Sequence, residues 1–188
     1  MTPPAPEDLR RTQRRGRIVI VTMIVGFLAV CAVLGVFLWQ REQQETRLSE
    51  LTAPGLRTVG VPEQLPEQID EVTALDRNRG LVATYVDGDG DPVPQLRLLN
   101  IRAGADPDLC ELLGAVEPQL ADGCTASGDA LSASANGPDT LLLAEGVLRD
   151  STLVVLVAHP ADHTDERLRA FVDTAEQVSV KELADLAD

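Results

Sequence analysis

The sequence predicts one N-terminal transmembrane helix followed by a small α+β domain. Three observations lead there. Ile18 to Trp39 is an apolar run without a charged residue, arginines cluster just before it, and the remaining chain mixes polar and apolar positions at both strand and helix spacing.

The apolar run of 22 residues would rise about 33 Å as a helix, enough to cross a hydrocarbon core of about 30 Å. Arg10, Arg11, Arg14, Arg15 and Arg17 precede it, while Arg41 and Arg47 on its far side are offset by Glu42 and Glu45. This asymmetry predicts a cytoplasmic N-terminal tail (1–17), a span (18–39) and an extracytoplasmic remainder. Trp39 falls where an interfacial aromatic anchor is expected. The run ends in Phe37-Leu38-Trp39-Gln40-Arg41, which offers no small-residue site for a signal peptidase. Leu28-Ala29-Val30-Cys31 imitates a lipobox, but Val30 is bulky and apolar residues follow Cys31 where a polar tether would begin. Cys31 and Gly35 have the small-xxx-small spacing of close helix contacts, a spacing common in any span.

Gln40 to Leu51 lacks Gly and Pro and reads as a short helical stalk (40–53) ended by Pro54-Gly55. The outer domain (54–188) begins with a strand over Leu56 to Val61. Pro66 to Leu75 places Ile69, Val72 and Leu75 at helical spacing and predicts a helix. Gly80 to Val86 and Gln95 to Ile101 read as a hairpin across Asp87-Gly88-Asp89-Gly90-Asp91-Pro92. Pro107 to Val116 predicts a helix capped by Asp106 and interrupted at Pro118. Asp122 to Pro138, rich in Gly, Ser, Ala and Asn, predicts a mobile loop. Thr140 to Leu148 and Thr152 to Ala158 predict a second hairpin, the latter strand the more deeply buried. Thr164 should cap a helix over Asp165 to Ala175 with Leu168, Phe171 and Val172 on one face. A short strand over Val178 to Val180 and a last helical turn from Lys181 complete the chain. The resulting order is a ferredoxin-like β-α-β-β-α-β with an added β-α.

Few residues offer chemistry. Cys110 and Cys124 would lie in an oxidising compartment, and a break in the chain at Pro118 or Gly123 lets them meet as a disulfide. Asp87, Asp89 and Asp91 alternate like the first ligands of a calcium loop. Pro92 stands where such a loop needs Gly and Leu98 where it needs Glu, so a turn explains them better than a metal site. His159 and His163 are four apart, but Pro160 argues against a shared helix face. Glu63 and Glu67 read as a solvated helix face. No nucleophile elbow, phosphate loop or dinucleotide fingerprint occurs, and neither a cofactor nor enzymatic activity is expected.

The formal net charge is −14, with 30 acidic against 16 basic residues, and only Glu7 and Asp8 of the acids precede the apolar run. An outer domain this acidic repels nucleic acid. The expected function is that of a single-pass protein presenting an interaction domain outside the cytoplasm, as an accessory or assembly component of a cell-envelope membrane complex. Its expected partners are the lipid bilayer and another membrane protein or a second copy of the chain. A sensor or ligand-binding domain signalling through the span, or a tethered enzyme of unfamiliar type, are the alternatives.

Overall fold

The computed structural model describes residues 27, 30–36, 38–39, 42–43, 45–63, 65–87, 89–90, 92–137 and 141–187. Two compact units divide at Arg47 and Leu48. In the first, the described residues from 27 onward are helical, and Phe27, Val30, Val33, Leu34, Val36, Leu38 and Trp39 expose their side chains. Arg10, Arg11, Arg14, Arg15 and Arg17 lie outside the described residues, as does Asp91.

The predicted architecture needs correcting at both ends. Among the described residues, no helix is long and apolar enough to cross a membrane. The ferredoxin-like order is also replaced, because two segments read as helix and loop are strands.

Among the described residues the second unit is built on nine strands: β1 (Thr58–Pro62), β2 (Gln68–Ala74), β3 (Gly80–Val86), β4 (Pro92–Arg102), β5 (Cys124–Ser127), β6 (Ala130–Asn136), β7 (Leu141–Arg149), β8 (Thr152–Ala158) and β9 (Ala175–Ser179). Three short helices join them: α1 (Leu109–Gly114), α2 (Asp165–Asp173) and α3 (Val180–Asp185). Seven strands form one antiparallel sheet in the order β2-β3-β4-β8-β7-β6-β5. Two meanders, β2-β3-β4 and β5-β6-β7-β8, therefore meet along the single seam β4–β8. β1 and β9 pair with each other as a separate antiparallel ribbon.

β8 occupies the middle, and all seven of its residues are buried. A strand covered on both faces reads as a continuous apolar run, here Thr-Leu-Val-Val-Leu-Val-Ala. On one face Val154, Leu156 and Ala158 pack with Leu96 and Leu98 of β4 and Leu81, Ala83 and Tyr85 of β3. Leu168, Phe171 and Val172 of α2, Leu183 of α3, Val59 of β1 and Leu51 cover them. On the other face Leu153, Val155 and Val157 join Leu99, Ile101, Leu131 and Ala144 beneath Leu109, Leu113 and Leu120.

β2 replaces the predicted helix over Pro66 to Leu75. It is an edge strand with one neighbour and a register irregularity between Ile69 and Glu71, and Val72 is its only buried residue. With so little of it buried, no alternation marks it in the sequence, and the i,i+3 spacing of Ile69 and Val72 is accidental. Its exposed Asp70 and Glu71 put charge on the sheet edge, which discourages pairing with another chain. β5 and β6 replace the predicted mobile loop. Leu131, Ala133 and Ala135 alternate inward with half-buried Ser132 and Ser134 between them, and Gly128 turns the hairpin at a φ of +61°. α1 is capped by Asp108, whose Oδ1 accepts from the backbone N–H of Cys110 and Glu111 at 3.0 Å, rather than by Asp106. α2 opens on Thr164 as predicted.

Candidate functional site

A cleft of about 550 Å³ opens where the ends of the ribbon and the edge of the sheet meet. Val61, Pro62 and Glu63 approach it from β1, Leu65, Glu67, Gln68 and Ile69 from the lead into β2, Tyr85 from β3, and Glu176 and Val178 from β9; Leu186 closes one side. Its size falls in the range of small-ligand sites. The walls are apolar and the polar groups are three carboxylates, an amide and a phenol. Among the described lining residues there is no Lys or Arg.

Strand register brings the acids together. In the β1–β9 ribbon Val61 faces Glu176, which sets Glu63 beside it. A hydrogen bond from the Glu63 carboxyl, and then its charge, hold the Glu176 carboxyl above the usual carboxylate range. Deeper in, Glu67 Oε1 lies 3.6 Å from Nε2 of His163, which is buried at the end of the loop leading to α2.

Three buried polar atoms around this point have no hydrogen-bond partner: the Tyr85 hydroxyl, Glu67 Oε2 and His163 Nδ1. Orphaned polar atoms are uncommon in native interiors and call for an explanation. Burial first, and the Glu67 charge second, push the Tyr85 phenol above its ordinary value, so it stays neutral and keeps both its proton and its lone pairs.

The residues singled out in the sequence fall elsewhere or in other roles. Cys110 and Cys124 are joined in a disulfide with their Cα atoms 5.7 Å apart, tying α1 to the start of β5. Asp87 Oδ1 accepts from the backbone N–H of Asp89 at 2.9 Å, and Gly90 N–H donates to the Asp87 carbonyl, the bonds of a turn. Among the described residues no group of three His, Cys, Asp or Glu could hold a metal. His159 and His163 do not converge: His159 Nδ1 accepts from the Ala161 N–H within its own loop, whereas His163 turns toward Glu67. Glu63 and Glu67 do share a site, on loops rather than a helix face. Glu176 and Tyr85 carried no motif, although Tyr85 is the only tyrosine in the chain.

Two further carboxylates are buried but already paired. Glu145 of β7 receives two hydrogen bonds from Arg169 of α2, at 3.0 and 3.1 Å, and Glu117 meets Arg97 at 2.8 Å. These are bonds between layers of the fold. No family model, curated protein or solved structure matches the chain.

Proposed function

We propose that this protein is a membrane-tethered interaction module whose folded domain works outside the cytoplasm as an accessory or assembly component of a cell-envelope complex. The observation that carries the reading is the acid-lined cleft, open at the surface with apolar walls and with none of Ser, Cys, His or Lys among its described lining residues. Such a lining suits recognition of a partner and holds no serine, cysteine or lysine nucleophile beside a base.

Tethering rests on the sequence: the uncharged run Ile18 to Trp39 behind five arginines. The exposed apolar side chains from Phe27 to Trp39 support it, because they would need either lipid or protein cover. The Cys110–Cys124 disulfide supports the extracytoplasmic side, since such bonds persist where the surroundings oxidise. A ligand-binding domain that signals through its tether is the second reading, favoured by the size of the cleft.

Crosslinking in native membranes followed by mass spectrometry tests the first reading. It expects a stoichiometric partner; repeated recovery of the chain alone would overturn it. Protease added to intact cells, after opening of any outer wall, should degrade the domain, and survival of the domain would refute the topology.

A further inference from the structure

Resting on the interaction reading above, we propose that the cleft receives one basic side chain, arginine or lysine, from a partner polypeptide. Its charged head would sit among Glu63, Glu67 and Glu176, with its aliphatic stem against Leu65, Ile69 and Val178.

The case begins with donors and acceptors. A guanidinium offers five N–H donors and no acceptor, and an ammonium three donors. The cleft presents a mostly complementary set, three carboxylates and the oxygen of a phenol, with the Gln68 amide and the Tyr85 hydroxyl able to donate as well. Acidity alone would not suffice, since acidic clusters are often only solvated. Here a second observation points the same way. Tyr85 lines the cleft, is almost wholly buried, and its hydroxyl has no partner; Glu67 Oε2 beside it has none either. Two polar groups, a carboxylate oxygen and a hydroxyl, withdrawn from water and left unbonded cost stability unless something bonds to them.

The electrostatics agree. The Glu63 charge beside Glu176 opposes ionisation of the Glu176 carboxyl. A cation entering beside them relieves that repulsion. Glu67 and Tyr85 line the same cleft, and His163 Nε2 lies 3.6 Å from Glu67 Oε1. The apolar wall gives a long basic side chain somewhere to lay its stem, as such side chains do at interfaces. Because the cleft opens to the surface, the partner backbone can stay outside while one residue enters.

Calorimetric titration of the full chain in detergent micelles tests this. The probes are a blocked Leu-Arg-Leu tripeptide, its Leu-Glu-Leu counterpart and agmatine. The arginine peptide should bind, and the glutamate peptide should not. Glu63→Gln, Glu176→Gln and Tyr85→Phe should each weaken binding about tenfold, the scale of one charge-assisted hydrogen bond. Asp129→Asn, on the distant hairpin, should leave it unchanged. The proposal falls if neither basic probe binds, if the glutamate peptide binds equally, or if the cleft substitutions have no effect. Agmatine binding without peptide binding would overturn the assignment to a side chain. The same variants separate this inference from the broader one. If membranes carrying Glu63→Gln/Glu176→Gln yield the wild-type crosslinked partner undiminished, the cleft assignment fails and the interaction reading stands. If no partner appears in any membrane but the titrations respond as expected, the reverse holds.

Discussion

The side chain of Asn100 pairs with the backbone of Gly60 as a neighbouring strand would. Its Oδ1 accepts from the Gly60 N–H at 2.7 Å, and its Nδ2 donates to the Gly60 carbonyl at 3.2 Å. Asn100 lies inside β4 on the face that β1 crosses, fully buried, so one amide docks the ribbon onto the sheet. Asn100→Ala strands a buried N–H and a buried carbonyl together. Urea unfolding should show a loss of about 2–4 kcal/mol. Asn100→Asp keeps the acceptor but loses the donor, and should destabilise as well. An unchanged midpoint in both would show that the ribbon is held by other means.

Gly60 is the partner because nothing larger fits. A Cβ there would stand 2.6 Å from Cγ2 and 2.9 Å from Cγ1 of Val154, the residue paired with Asn100 across the seam. Gly60→Ala should therefore cost about 1–3 kcal/mol by overpacking. Combining it with Val154→Ala opens the space, so the double variant should lose less than the two single losses added. Strict additivity would deny the contact.

The Cys110–Cys124 bond closes a sequence separation of 14 residues and should contribute about 3 kcal/mol. The paired Cys110→Ser/Cys124→Ser variant should unfold at lower urea than the oxidised protein and match the reduced wild type. If reduction leaves the midpoint unmoved, the bond is not a structural one.

Arg169→Ala leaves Glu145 buried without its cation. Because the Arg169 side chain is itself 59% exposed, solvent already screens part of the pair, and the expected loss is about 1–2 kcal/mol. Replacing both residues with apolar ones, as in Glu145→Leu/Arg169→Met, should recover much of that loss. A double variant no better than Arg169→Ala would show that the carboxylate does more than fill space.

Two exposed acids should bend the pH profile in opposite directions. Glu182 is held below its ordinary value of 4.5 by hydrogen bonds from the Ser179 backbone and hydroxyl, the reciprocal cap of α3. A lowered folded value means its contribution is present above 4.5 and is lost as pH falls below it. Glu176 is raised, so in the folded state its ionisation is opposed, and stability declines as pH climbs from 4.5 through the raised value. Glu176→Gln should thus raise the unfolding midpoint at neutral pH and change it little in acid, whereas Glu182→Gln should lower it at neutral pH. Thermal melts across that range decide both signs.

The parts of this fold legible in the sequence are those where one residue type has one job. Thr152 to Ala158 announces a strand buried on both faces by its unbroken apolar run. Asp165 to Asp173 announces a helix by its cap at Thr164 and the spacing of Leu168, Phe171 and Val172. The two cysteines announce their bond. What stayed hidden is governed by distant partners. Gln68 to Ala74 is a strand only because β3 lies beside it, and its own side chains are too exposed to reveal a period. Ala130 to Asn136 has that period, but in alanine and serine, whose small size resembles loop composition. The cleft was the least legible feature. Glu63, Tyr85 and Glu176 meet through the β1–β9 register and the β2–β3 edge, and no local spacing encodes either.

The β4–β8 seam has a kinetic consequence. Every other neighbour relation in the seven-stranded sheet joins strands consecutive along the chain, as hairpins that close on the order of microseconds. Arg97 to Arg102 must instead find Thr152 to Val157 after the whole intervening polypeptide has looped back. That search pays its loop entropy before any contact rewards it, so refolding speed should be set there. The covalent clasp within the loop shortens the wait, and chains whose two cysteines are still reduced would spend longest with the sheet in two halves.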